Sequence, residues 1–294
     1  MPEFEFPFRG ETKHLNPEER AHLPGEFIKL SKGLTHYELG GSVGGPVVVL
    51  VHGFAVPMFV LDSTYQALTQ AGFRVLRYDL FGRGFSNRPL VKYDLNLFIR
   101  QLTDLLHGLE ITQPVSLLGL SMGGIVSAAF TDQYPGRVVK LVLIDPAGFP
   151  LRFSPLIKLL TLPGLGEVIF NLVGENNLEN GILGSMYDPV HIREFTQRLK
   201  PQMGYKGYKR ALISTIRAGF IDRGVETYKR IGRSDLPVLL IWGTEDTTAP
   251  FKYSRTLVGL IPQIEFHPIP GAGHIPHYEK PEIVNPLLID FLER

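Results

Sequence analysis

Several runs along the chain are apolar at consecutive positions rather than at alternate ones. They are VVVLV (47–51), FRVLRYD (73–79), VSLLGL (115–120), VVKLVLID (138–145), PVLLIWG (237–243) and IEFHPIP (264–270). A strand that is apolar on both sides needs cover on both sides, so these runs predict a parallel sheet between helical layers. Two shorter runs, EFIKLS (26–31) and LTHYEL (34–39), flank Lys32-Gly33 and predict a strand pair ahead of them. Between the runs the apolar positions move to helical spacing. Residues 62–71 start at an Asp suited to N-capping and stop before Gly72; residues 94–109 also lie behind an Asp. Residues 122–134 and 279–293 complete the predicted helices.

This alternation predicts right-handed βαβ units and an α/β fold with a doubly wound, mostly parallel sheet. It lapses between about 147 and 233. There PLIKLLTLPGLGEVIFNLV, HIREFTQRLK and YKRALISTIRAGF read as helical and no strand run occurs. The expected organisation is a core of residues 1–146 and 234–294 with a helical cap of residues 147–233. The cap would cover the carboxyl edge of the sheet, where ligands of open α/β sheets bind.

Composition narrows the picture. The chain has 294 residues, 44% hydrophobic and 20% charged, enough to bury one large core. Net charge is +1 with no basic block, which argues against a nucleic-acid partner. Cysteine is absent, which rules out disulfides, Cys-ligated zinc and a thiol nucleophile. The opening MPEFEFPFRGETKHLNPEER is acidic and broken by prolines, unlike a signal peptide. The longest apolar region, residues 154–174, is interrupted by Lys158, Pro163 and Glu167. A soluble cytoplasmic protein without stable membrane insertion is expected.

Gly119-Leu120-Ser121-Met122-Gly123 places one serine between a predicted strand and a predicted helix. A sharp turn there would lift the Ser121 hydroxyl above the sheet, and flanking glycines would allow the strained backbone. A hydroxyl nucleophile needs a base, and the base needs an orienting acid. His274, in Gly271-Ala272-Gly273-His274 after the last predicted strand, is the base expected at that edge, with His277 as the alternative. Asp246, in WGTEDTTAP, and Asp145, ending VVKLVLID, compete for the orienting role. The Gly and Pro punctuation of its loop favours Asp246. Two backbone N–H groups must face the oxyanion: Met122 after the serine, and Phe54 in the loop HGFA. His52 is expected to hold that loop. Asp79 is expected to brace its own Gly-rich loop with Arg83 as its partner, and His36 has no supporting context.

With these motifs in place, the chain resembles the α/β-hydrolase fold superfamily over nearly its whole length. HGF (52–54), DLFGRGFS (79–86), GLSMGG (119–124), GTEDTTAP (243–250) and GAGHIPHYEKP (271–281) stand in that family's order. The resemblance implies Ser121 as nucleophile, His274 as base, Asp246 as orienting acid, and Phe54 and Met122 as oxyanion donors. It also implies that no metal or organic cofactor is needed. Ser121 stands where dehalogenases and epoxide hydrolases of the fold carry Asp. Met122 departs from the Trp of proline iminopeptidases, and Leu120 from the Asn usual in meta-cleavage carbon–carbon hydrolases. GLSMGG is similar to capped carboxylesterases, monoacylglycerol lipases and enol-lactone hydrolases.

The expected activity is hydrolysis of small to medium apolar acyl or aromatic esters through an acyl-enzyme. The apolar stretch 149–173 would in part line the pocket and in larger part pack cap to core. The basic stretch KPQMGYKGYKR (200–210) would be a solvated helix face or an attractor for a carboxylate. Lactone, thioester or carbon–carbon bond hydrolysis is the alternative. A ligand-sensing receptor is a third reading, and a complete Ser, His and Asp set argues against it.

Overall fold

The computed structural model describes residues 5–150, 159–160 and 162–294. Eight strands form one sheet: β1 (Glu26–Leu30), β2 (Gly33–Gly41), β3 (Val47–Val51), β4 (Arg74–Tyr78), β5 (Val115–Leu120), β6 (Val138–Ile144), β7 (Val238–Gly243) and β8 (Ile264–Ile269). Their spatial order is β1-β2-β4-β3-β5-β6-β7-β8. β1 and β2 pair antiparallel, as do β2 and β4; every pairing from β4 through β3 to β8 is parallel.

The consecutive apolar runs have the physical cause that their pattern implies. In β3, Val47, Val49 and Val51 join one core, while Val48 and Leu50 join the other. The same split recurs in β6 (Leu141 and Leu143 against Val142 and Ile144) and in β7 (Leu240 and Trp242 against Leu239 and Ile241). Helices Leu95–Gly108 and Met122–Gln133 cover the first face; helices Asp62–Gln70 and Pro281–Glu293 cover the second. Each fully buried Val or Leu contributes roughly 1.5–3 kcal/mol of transfer free energy.

Local chemistry adjusts the expected helix ends. Asp94 caps its helix by accepting the Leu97 N–H at 3.0 Å. Asp62 does not cap: the 3₁₀ turn Met58–Leu61 runs straight into the helix, and the Asp62 carboxylate pairs with Arg77 and Arg198. The helix expected over 279–293 is two, Pro276–Glu279 and Pro281–Glu293, because Pro281 keeps Lys280 out of helical geometry. Helix Lys252–Leu260 was not apparent from the pattern. It supplies the crossover that parallel β7 and β8 require.

Between β6 and β7 the described residues form only helical elements, among them Leu165–Ile169, Glu175–Leu183, Ile192–Met203, Tyr208–Ala218 and Val225–Ile231. Of the apolar stretch 149–173, residues 151–158 and 161 lie outside the described residues. No helix among the described residues is long and apolar enough to cross a membrane.

The order of strands reverses at β3, which has β4 on one side and β5 on the other. Loops leaving β3 and β5 therefore diverge and open a crevice at the carboxyl edge. Close packing at this point depends on glycine. A Cβ on Gly119 would lie 2.3 Å from the Gly123 carbonyl oxygen, and one on Gly123 would lie 2.1 Å from that of Val51. Gly119→Ala is expected to lose about 1–3 kcal/mol of unfolding free energy. Gly44→Ala, where an added Cβ meets nothing within 4 Å, should stay within about 0.5 kcal/mol of the parent. Urea unfolding of both variants checks the contrast.

Candidate active site

Ser121 sits between the end of β5 and helix Met122–Gln133, at φ 53° and ψ −116°. A non-glycine residue held there carries of order 1–3 kcal/mol of strain. Backbone hydrogen bonds hold it: Ser121 N–H donates to Ile144 O at 2.9 Å, and Ser121 O accepts from Gly124 at 2.9 Å and Ala147 at 3.0 Å. The turn presents the hydroxyl to a loop on either side.

From the loop after β8, His274 Nε2 lies 2.8 Å from Ser121 Oγ. His274 Nδ1 lies 2.7 Å from Asp246 Oδ2, in the loop after β7. A carboxylate only accepts, so Nδ1 carries the proton and Nε2 offers its lone pair to the hydroxyl. Asp246 is itself fixed, its Oδ1 accepting the Thr248 and Ala249 N–H groups at 2.8 and 2.9 Å. Of the two competing aspartates, Asp246 reaches the imidazole. Asp145 instead accepts the Gly243 N–H at 2.9 Å. His277 is fully buried, burial pulls its pKa down to about 3, and it does not line the cavity.

Glu279, within GAGHIPHYEKP but with no role assigned from the sequence, fastens the His274 loop. One carboxylate oxygen accepts the Gly273 N–H at 2.9 Å; the other accepts Tyr187 and Asp188 N–H at 2.7 and 2.9 Å. His274 N–H donates to Ser185 O at 2.8 Å. The segment between β6 and β7 is thus tied to the loop carrying His274.

The Gly53–Phe54 peptide borders the serine: a Cβ on Gly53 would lie 3.3 Å from Ser121 Cβ. Met122 opens its helix, where N–H groups have no intrahelical acceptor. Its side chain packs into the core on the first face of the sheet. His52 holds the Phe54 loop as expected. Its Nε2 accepts the Leu80 N–H at 2.9 Å, which places the proton on Nδ1, 2.9 Å from Gly53 O. Burial pulls the His52 pKa down to about 4, keeping it neutral.

Two expectations need correction. Arg83 does not partner Asp79. It donates to the Phe54 and Phe81 carbonyls and to Thr215 Oγ1, and so ties the Phe54 loop to helix Tyr208–Ala218. Asp79 braces its own loop by accepting the Phe85 N–H at 2.9 Å, accepts the Met58 N–H at 2.9 Å, and pairs with His36 at 2.7 Å, whose other ring nitrogen lies 2.7 Å from Pro24 O. The 43 residues between Asp79 and His36 hide this pair from sequence reading. The stretch 200–210 is solvated only in part, at Lys200 and Lys206, and none of its residues lines the cavity. Lys209 is buried and donates to Arg9 O, and Arg210 donates to Arg88 O and Pro89 O.

A cavity of about 580 Å³ opens onto Ser121 and His274. Leu160, Ile169, Phe170, Leu178, Leu212 and Ile216 contribute to its apolar wall, and among the described residues Asp222 and Lys252 are the acidic and basic side chains on it.

A sheet of this order with a strained serine at its switch point defines a class of hydrolytic enzyme folds. The family model described as alpha/beta hydrolase fold matches residues 46–281, and the chain belongs to that family. The chain is 31% identical over 287 residues to a 2-hydroxy-6-oxononadienedioate/2-hydroxy-6-oxononatrienedioate hydrolase of Paraburkholderia phymatum, covering 91% of this chain and 95% of that one. Its fold matches an enol-lactonase from Burkholderia xenovorans with TM-score 0.76, 23% identity, and 92% and 100% of the two chains covered. It matches an esterase from Exiguobacterium antarcticum with TM-score 0.78, 19% identity, and the same coverage.

The Asp79–His36 pair has a definite pH dependence. Burial opposes charge on His36, but the hydrogen bond and charge of Asp79 outweigh it and raise its pKa above 6.5. Burial likewise opposes charge on Asp79, yet the His36 contact pulls it down to about 2. The imidazolium contribution is complete below pH 6.5 and is lost as pH rises through the raised value. The carboxylate contribution is complete above 3.8 and is lost as pH falls towards 2. His36→Gln is expected to cost about 1–3 kcal/mol near pH 5 and less near pH 9, read from urea midpoints. Equal losses at both pH values would contradict a charged His36.

Proposed function

We propose that the protein is a serine hydrolase of small to medium apolar esters, acting through an acyl-enzyme. The observation that carries this reading is the chain Ser121 Oγ, His274 Nε2, His274 Nδ1 and Asp246 Oδ2, at 2.8 and 2.7 Å, beside an apolar cavity. In this reading His274 takes the Ser121 proton as Oγ attacks the ester carbonyl. The N–H groups of Phe54 and Met122 stabilise the oxyanion, and Asp246 stabilises the imidazolium. His274 then protonates the leaving alcohol. Water, giving its proton to His274, attacks the acyl-enzyme; the acyl–Oγ bond breaks, the acid leaves, and His274 returns the proton to Ser121 Oγ.

Residues 147–233 act as a cap in this proposal, and its Leu160, Ile169, Phe170 and Leu212 receive the acyl or aryl group. Carbon–carbon bond hydrolysis is the second reading, favoured by the 31% identity to the dienedioate hydrolase. A dienedioate carries two carboxylates. The described wall offers them one cation, Lys252, with Asp222 of opposite sign on the same wall. That chemistry suits a neutral ester better.

Turnover of p-nitrophenyl esters should rise from acetate to medium chains and fall for long ones. Ser121→Ala should lower kcat by about four orders of magnitude or more with unchanged thermal stability, and should abolish labelling by a fluorophosphonate. Retained turnover in that variant would remove the proposal. A dienedioate cleaved with higher kcat/KM than every ester would promote the second reading.

A further inference from the structure

Asp145 is more constrained than the one hydrogen bond of its side chain explains. It is fully buried at the end of β6, with φ 41°, a backbone that residues bearing a Cβ adopt at a cost of order 1–3 kcal/mol. Its Oδ1 accepts the Gly243 N–H at 2.9 Å, while its Oδ2 has no hydrogen-bond partner among the described residues. Asp145, Asp246 and His274 each place one nitrogen or oxygen atom within 4.8 Å of the other two. Two carboxylates buried this closely do not both ionise. Asp246 has three donors for its negative charge, from Thr248, Ala249 and His274. Asp145 has one, so the proton belongs on Asp145. Burial, and then the charge of Asp246, raise its pKa far above the ordinary carboxyl range. Glu279, the remaining acid in this field, acts in the same direction.

We propose that Asp145 is a positioning residue of the site. As a neutral acid it donates through Oδ2 to the Asp246 carboxylate, holds that carboxylate against His274, and is the reserve partner of the imidazole. A proton on Oδ2 turns an unpartnered oxygen beside a carboxylate into a donor facing an acceptor. Removing Asp246 also removes the charge that keeps Asp145 protonated. Asp145, with a carboxylate oxygen within 4.8 Å of a His274 ring nitrogen, can then ionise and accept a hydrogen bond from the imidazole N–H.

This inference rests on the proposed roles of Ser121 and His274, which Ser121→Ala tests separately; the Asp145 comparisons are made among variants that keep Ser121. The first measurement is the acid limb of the kcat/KM–pH profile, which reports protonation of the free enzyme's base. Asp145→Asn preserves the charge of a neutral Asp145, so the limb should stay within about 0.3 pH unit. A downward shift of about one unit or more would mean that the parent carries an ionised Asp145, and would overturn the proposal. The second measurement compares Asp246→Ala with Asp246→Ala/Asp145→Asn, both checked for folding by thermal melting. The single variant should be at least about tenfold more active in kcat. Equal activities, including both at background, would overturn the reserve role.

Discussion

The site depends on a close backbone approach: β5 turns into its helix across Ser121 while Gly123 presses on the Val51 carbonyl of β3. This approach packs the turn after β5 against the end of β3 at the point where the strand order reverses and the loops beyond diverge. It requires glycine at 119 and 123 and leaves the serine at φ 53°. The strain at one residue is small beside the apolar surface buried by β3, β5 and β6, whose residues divide between two covering layers. Hydrogen bonds from β6 and the loop beyond it then hold Ser121 in place.

Polar residues around this frame are spent inside the molecule on backbone groups. Arg83 binds the carbonyl of Phe54, His52 that of Gly53, and Glu279 three N–H groups of two segments. Each such contact satisfies a loop backbone that lacks secondary-structure partners. Burial raises the cost of leaving any of these groups unpaired. The Phe54 loop is therefore held by His52 within it and by Arg83 from the loop after β4, and Glu279 ties the His274 loop to the backbone of Tyr187 and Asp188.

Legibility followed the physical range of each signal. The strands were readable because burial on both faces leaves a contiguous apolar run, as in VVVLV and VSLLGL. The helix Lys252–Leu260 was not, because its amphipathic pattern is short and no side chain caps it. Ser121 was legible as a site candidate because glycine on both sides marks a turn within five residues. His36 and Glu279 were not. An isolated histidine in a strand and an acid near a helix start have many uses, and their partners lie 43 and 92 residues away. The basic stretch 200–210 misled at Lys209 and Arg210 for the related reason that sequence shows charge but not burial.

By itself the sequence determined the order of strands and helices and the residues able to bear chemistry at loops after strands, since both follow from local periodicity and turn chemistry. Tertiary structure decided which of those residues meet. It placed Asp246 rather than Asp145 on His274, gave Asp79 to His36 and Arg83 to the Phe54 loop, and left Asp145 beside Asp246 with one oxygen unpartnered among the described residues. Such choices turn on distances of a few ångströms between segments far apart in the chain, and only the packed sheet and its covering helices set those distances.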